Sequence, residues 1–444
     1  MPVSPSPSAN TSSANASADA DVSAQERALL ERRARLLGPT YRAFYRNPIH
    51  LVRGSGVWLY DAQGRKFLDA YNNVASVGHC HPRVVEALSG QAATLNTHTR
   101  YLSEIILDYA EKLLGTLPSH LGHAMFTCTG SEANDLAIRI AQHATGNSGV
   151  IITDFAYHGA TIATAQLSPA AVGAKGVPAQ HLTVAAPDTF RDHGRAAKDF
   201  ARNVAAAIDD MRAQDIRPAA LLVDSAFSSD GIFFPEAAVM REAADHVRKA
   251  GGILIADEVQ SGFGRLGQGM WGFANYGLEP DIVTMGKPIG DGHPMGAVIV
   301  RPRLVSSFGS NTGYFNTFGG NPVAAAVGIA VLEVIEGEGL IENARTVGAY
   351  TAELLDALKG RHGMVADVRQ NGLYFGVELT AQDEATAAAR TSAVVEAMRE
   401  DGVLISSCGP RGNVLKIRPP LPFARDNAEQ LAETLDRALS GRAC

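Results

Sequence analysis

The chain has 444 residues, 46% of them hydrophobic and 19% charged, with a formal net charge of −7. That balance excludes general disorder and suits about two to three domains. With Lys plus Arg at 39 against Asp plus Glu at 46, no basic excess points to nucleic acid or an anionic membrane. No apolar stretch reaches the ~18–20 residues of a membrane span.

Residues 1–24 are mostly Ser, Ala, Pro, Asn and Asp, with no aromatic, Leu or Ile. Such a segment cannot offset its ordering entropy and is expected to be a disordered tail. It lacks the basic start and apolar core of a secretory signal. A helix is predicted over 25–37, stopped by Gly38-Pro39. Val57–Tyr60 and Arg65–Asp69 read as a β-hairpin around a turn containing Gly64.

From about residue 83 helices and short apolar strands alternate. Helical spacing covers Val84–Leu95, Glu104–Leu114, a stretch running to Ile140, 198–213 and Glu236–Ala250. Strands are predicted at His123–Cys128, Gly149–Thr153, Ala220–Val223, Ile253–Ala256, Asp281–Thr284 and Ala297–Val300. Apolar runs between helices predict an α/β fold, its largely parallel sheet covered on both faces. After residue 330 the texture changes to an α+β tail. Helices are expected at Pro322–Ile335, up to Met398 and at Asp426–Leu439, with strands at Val365–Val368, Leu373–Glu378, Val403–Ser406 and Val414–Ile417.

The four cysteines, Cys80, Cys128, Cys408 and Cys444, form no CxxC pair and no disulfide framework, which suits a reducing cytoplasm. His79-Cys80-His81 supplies too few ligands for a metal, and no second cluster completes it, so no metal site is expected.

Four features follow predicted strands, where open α/β sheets bind ligands. Thr129-Gly130-Ser131 precedes a helix, so its free N–H groups and hydroxyl suit a phosphate, or Ser131 is simply an N-cap. Tyr157-His158-Gly159 offers an aromatic ring to stack on a flat cofactor, or one that merely packs. Asp257 needs a partner at the sheet edge, either a protonated pyridine nitrogen or Arg265. Lys287, in a turn-rich apolar segment, is a candidate Schiff-base lysine or an ordinary surface charge. Phosphate cradle, aromatic plate, carboxylate and lysine are together what pyridoxal 5′-phosphate requires.

These stretches, with Gly78-His79-Cys80-His81-Pro82, Gly262-Phe263-Gly264-Arg265 and Asn316-Thr317-Phe318-Gly319-Gly320-Asn321-Pro322, resemble the class III pyridoxal-phosphate-dependent aminotransferases of fold type I over about residues 40–440. The resemblance implies a large domain at 80–330 with a seven-stranded-type sheet. It also implies a smaller α+β domain shared by 25–79 and 331–444. It implies that Lys287 carries the cofactor, Asp257 keeps its ring nitrogen protonated and Gln260 bonds its ring hydroxyl. Gly130 and Ser131 would hold its phosphate, with Tyr157 and His158 beside the ring. Thr317 would reach the phosphate of a second subunit, so a homodimer or larger homo-oligomer is implied. The activity implied is transfer of an amino group from a primary amine or ω-amino acid to a keto acid such as pyruvate or glyoxylate.

Two places depart from the commonest family pattern. Asp224-Ser225 stands where many members have Glu-Pro, and Lys416, with Arg418 two residues on, where many have a carboxylate-gripping arginine. These departures, with Tyr71–His79, Leu95-Asn96-Thr97, Arg100-Tyr101-Leu102 and Gly290–Pro294, resemble the alanine–glyoxylate aminotransferase type and the phospho-lyases of O-phosphorylated amino alcohols. A phospho-lyase, or a racemase of the same family, is therefore the alternative. Ser76, Arg100, Lys416 and Arg418 are the candidates for contact with the substrate.

Overall fold

The computed structural model describes residues 23–441, so nearly all of the tail expected at 1–24, and Cys444, lie outside it. The described chain divides into two compact units. One runs up to Arg53 and includes Leu59–Lys66; the other comprises Gly54–Trp58 and everything from Phe67 onward.

In the first unit a helix spans Ala24–Leu37. Ser23 and Glu26 close a capping box at its start, and Gly38, at φ +67°, stops it. Strands β1 (Leu51–Ser55) and β2 (Trp58–Asp61) follow, divided between the two units after Arg53 and before Leu59. The predicted hairpin arm thus starts at Trp58 rather than Val57. Arg53 lies 3.6 Å over the Tyr60 ring, and the turn after β2 closes through Gly64 N to Asp61 O, 3.1 Å.

The second unit holds β3 (Lys66–Asp69) and a seven-stranded sheet. The sheet comprises β4 (His123–Thr127), β5 (Gly149–Thr153), β6 (Leu182–Val184), β7 (Pro218–Asp224), β8 (Ile253–Asp257), β9 (Ile282–Met285) and β10 (Gly296–Val300). Their spatial order is β4-β10-β9-β8-β7-β5-β6. Strands β6, β5, β7, β8 and β9 are parallel, and β10 runs antiparallel to both its neighbours. The carboxyl ends of β4, β5, β7, β8 and β9 therefore share one edge. Strands β5, β8, β9 and β10 are buried along their whole length, which is why they read as continuous apolar runs rather than alternating ones. Helix Gly130–Thr145 covers one face, and Arg195–Ala213 and Ala237–Lys249 pair with each other.

Beyond helix Pro322–Gly337 comes a second, four-stranded sheet, ordered β11-β12-β15-β14. Its strands are β11 (Val365–Gln370), β12 (Phe375–Leu379), β14 (Ser406–Cys408) and β15 (Val414–Ile417). The two-residue β13 (Val403–Leu404) leaves this sheet to pair in parallel with β3.

Sequence periodicity missed the 22-residue helix Leu340–Arg361. Its buried face includes Ala344, Gly348 and Thr351, small or polar residues that blunt the apolar signal. Gly348 is required there: a Cβ would fall 2.1 Å from the Gly372 carbonyl oxygen. Helix Pro302–Asn311 and the edge strand β6 were also not anticipated.

Candidate active site

The parallel register places Asp224 beside Asp257 and Asp257 beside Thr284, in one row at the carboxyl edge of β7, β8 and β9. A cleft at that edge is lined by Gly130, Ser131, Tyr157, Asp257, Gln260 and Lys287, among others. The residues expected around a cofactor, Thr317 apart, therefore converge. Short links from strand end to side chain explain why, since Lys287 lies two residues beyond β9 and Gln260 three beyond β8.

Asp257 is 4% exposed and has no salt bridge to Arg265. Its Oδ2 accepts from Asn134 Nδ2 at 2.8 Å and faces His158 Nδ1 at 2.8 Å, while Oδ1 accepts from the Val259 N–H at 3.0 Å. A carboxylate has about four acceptor sites, so one remains for a further donor. Asn134 is itself fixed: Thr284 Oγ1 donates to its Oδ1 at 2.6 Å, and its Nδ2 also donates to the His158 carbonyl. Arg265 is instead bound to Asn73 and to the carbonyls of Leu373 and Pro419.

Ser131 is not the helix cap. Thr129 fills that position, accepting from the Glu132 N–H at 3.1 Å. Ser131 Oγ is left to face the cleft and accepts from the Ala160 N–H at 3.1 Å. Two glycines keep this corner open. A Cβ on Gly130 would sit 2.8 Å from Val259 Cγ2, and one on Gly159, at φ +147°, 2.7 Å from Ser131 Oγ. Tyr157 is 45% exposed, its ring free to cover a flat ligand. His158 is buried behind Asp257, with Nε2 unpartnered. It is thus a partner of the carboxylate.

Burial and the nearby Arg418 guanidinium push the Lys287 amine down to about 8, against the opposing pull of Asp257 and Asp224. The segment after Lys287 is clasped by Ser76 and Val77. Ser76 Oγ donates to the Pro288 carbonyl at 3.1 Å, and Asp291 Oδ1 accepts from the Val77 N–H at 2.9 Å. Ser76 thus holds a backbone carbonyl.

The four substrate candidates separate. Arg418 Nη1 donates to Gln260 Oε1, and its guanidinium lies 4.6 Å over the Tyr71 ring. Lys416 Nζ donates to the Ser228 carbonyl at 2.8 Å, and burial plus Arg418 push its amine down to about 7. Arg100 lies in a different cleft, 4.0 Å over the Phe315 ring. Thr317 is exposed and does not line the Lys287 cleft. His79 and His81 pair with Asp69 and Glu338, at 2.6 and 2.9 Å. Among the described residues no group of three or more His, Cys, Asp or Glu is set to hold a metal, and no helix is long and apolar enough to cross a membrane.

Sequence reasoning missed Asn134 and Glu258 as site residues, although they stand three residues past Ser131 and directly after Asp257. Glu258 is buried beside Asp257 and accepts from Ser225, Ser261 and the N–H groups of Gly272 and Phe273. Burial still pushes its carboxyl up to about 7. It ties the loop after β8 back to the sheet.

The family model for class III aminotransferases matches residues 41–439. The chain belongs to that family. A member named ethanolamine-phosphate phospho-lyase homolog 1, from Caenorhabditis elegans, is 37% identical over 93% of each chain. An alanine–glyoxylate aminotransferase 2-like protein of Drosophila melanogaster is 39% identical over 89% of this chain and 83% of its own. Among solved structures, a phospholyase from Arthrobacter in complex with phosphoethanolamine superposes with a TM-score of 0.89 at 43% identity, over 93% of this chain and 99% of the other. Pyridoxal phosphate is the cofactor of these class III enzymes. The cleft fits it: a buried carboxylate with a spare acceptor site, a glycine-lined helix start, an exposed aromatic ring and a lysine of lowered pKa.

Proposed function

We propose that this class III enzyme is a phospho-lyase acting on a small O-phosphorylated amino alcohol. The observation that carries this reading is a pair of buried cations, Lys416 and Arg418, within electrostatic reach of Lys287 and without a carboxylate at salt-bridge distance among the described residues. Two basic groups held together away from water, with the Lys416 amine pushed down to about 7 beside Arg418, call for an anion that keeps both protonated. A phosphate monoester carries about −1.5 to −2 near neutral pH and suits two cations. A carboxylate is served by a single guanidinium fork. The Caenorhabditis and Arthrobacter relatives support the same choice.

Bound pyridoxal phosphate supplies an electron sink for the carbon that carries the amine. Lys287 would hold the cofactor, and its amine of lowered pKa would take a proton from that carbon. Asp257, held by Asn134 and His158, keeps the ring nitrogen protonated. Gly130 and Ser131 would bind the cofactor phosphate, Tyr157 would cover the ring, and Gln260 would orient its hydroxyl; all four line the cleft. Lys416 and Arg418 hold the substrate phosphate, which leaves with the electron pair of the β C–O bond. Uptake of water then releases a carbonyl product and ammonia, so the net reaction consumes one water and needs no oxidant. Thr317 from a second copy completes the phosphate cradle of a homodimer, and the sparse cysteines suit a cytoplasmic enzyme.

The second reading is an aminotransferase passing the amino group of a primary amine or ω-amino acid to pyruvate or glyoxylate. The Drosophila relative favours it. One half-reaction decides between them. Phosphoethanolamine is added to the loaded enzyme without keto acid, and free phosphate and visible absorbance are followed together. Catalytic phosphate release with the absorbance restored supports the phospho-lyase. Loss of absorbance reversed only by pyruvate or glyoxylate, with no phosphate, overturns it in favour of the aminotransferase.

A further inference from the structure

Arg265 is among the largest fully buried side chains of the protein, yet no carboxylate lies within salt-bridge distance of it among the described residues. Its Nε donates to Asn73 Oδ1 at 3.0 Å. Its Nη1 donates to the Leu373 carbonyl at 3.3 Å and to the Pro419 carbonyl, and its Nη2 has no partner. Asn73, also buried, donates from Nδ2 to the Gln260 carbonyl at 3.0 Å. Gln260 in turn accepts from Arg418, the residue before Pro419. The contacts form a closed ring, from Arg265 through Asn73, Gln260 and Arg418 to Pro419 and back. Its side-chain links join residues 154 to 192 positions apart in sequence.

We infer that Arg265 is a positioning residue for the anion-binding side of the cleft, fixing Gln260 and Arg418 relative to each other through Asn73 and the Pro419 carbonyl. This rests on the reading that Arg418 receives the substrate's anion. A filler residue would do the packing at less cost, because a buried charge without a salt bridge is expensive. The rigid guanidinium fork serves three acceptors from three separate segments at once, which a lysine, as a point donor, does not. Arg265 also lies in the field of Arg418, and burial followed by that neighbour pushes its guanidinium down to about 9. An anion bound at Arg418 relieves both groups. Backbone contact closes the other side: a Cβ on Gly372 would fall 2.4 Å from the Arg265 carbonyl oxygen, so the chain comes as near to Arg265 as glycine permits.

The test uses the cofactor-loaded enzyme and Arg265→Lys, which keeps the charge and loses the fork. KM for phosphoethanolamine is expected to rise about ten- to a hundredfold, the loss of one charge-assisted hydrogen bond, while kcat falls less than threefold. The inhibition constant of inorganic phosphate should rise by the same factor. In the double variant Arg265→Lys/Arg418→Lys, KM should stay within about twofold of the worse single variant, because both changes break one ring. A fall in kcat at unchanged KM, or multiplying KM effects, overturns the inference. If Arg265→Lys does not fold, Asn73→Ala cuts the same ring and is judged by the same criteria. If the wild type releases no phosphate and transaminates, the phospho-lyase reading fails by itself. The Arg265 inference is then judged on KM for the amino acid turned over, whose carboxylate takes the place of the phosphate.

Discussion

His158 Nδ1 and Asp257 Oδ2 lie 2.8 Å apart in the interior, 99 residues apart in sequence, and the same carboxylate oxygen accepts from Asn134. Together the two side chains fix the plane of the carboxylate whose remaining acceptor site faces the cleft. His158→Ala should therefore slow turnover roughly ten- to a hundredfold, the cost of one hydrogen bond to a charged group. Asp257→Ala should slow it further, since the carboxylate itself is then gone. Steady-state kinetics with saturating cofactor checks this ordering. An unchanged rate in His158→Ala would show that Asn134 and Val259 hold the carboxylate without it.

Lys287→Ala should abolish turnover and the visible absorbance of lysine-bound cofactor. The fold should persist, because the lysine stands in a short turn outside the sheet and its amine makes no ion pair among the described residues. Circular dichroism and absorbance on one sample separate the two effects, and wild-type turnover would sink the assignment of the lysine.

Gly159→Ala should weaken cofactor binding more than it destabilises the chain. Its φ of +147° strains any side chain, and the added methyl would enter the corner beside Ser131 Oγ. We expect about 1–3 kcal/mol lost from stability, the range for backbone strain, and at least a tenfold rise in the cofactor's dissociation constant. Calorimetric titration of the apo enzyme reads the second, and thermal melting the first.

The pH dependence of the apo enzyme should carry the mark of Lys416. Burial and Arg418 lower its amine from the ordinary lysine range to about 7 in the fold. Between about 7 and the unfolded value near 10.4 the unfolded chain binds the extra proton, so stability rises with pH there. Below about 7 both states are protonated, and the penalty of the buried charge is present in full. Lys416→Met should remove up to about 1.4 kcal/mol per pH unit of that slope, the limit for one proton. Denaturant melts of both proteins at pH 7, 8 and 9 measure it, and equal slopes would contradict the lowered pKa.

Much of the site is legible in the sequence because its parts are punctuated locally. Gly130-Ser131 follows β4, Asp257 ends β8, and Lys287 lies two residues past β9, so each is set by one strand and one turn. The alternation of apolar runs and helices likewise determines the parallel-rich sheet, since strands buried on both faces must be apolar throughout. The helix at Leu340–Arg361 escapes that logic, because Ala344, Gly348 and Thr351 interrupt the Leu and Val residues of its buried face.

Only the tertiary structure decides the partners. Spacing allows Arg265 to pair with Asp257, eight residues away, yet folding turns it to Asn73 and the Pro419 carbonyl, and gives Asp257 to Asn134 and His158. Spacing leaves Arg100 and Arg418 equal as anion donors. The fold puts Arg418 beside Gln260 and Arg100 over Phe315 in another cleft. The groups the chemistry requires can be read from the chain, because local strand–turn geometry delivers them to one sheet edge. Which charges face one another was decided by contacts between segments about a hundred or more residues apart, where burial leaves each polar group only the partners that folding brings to it.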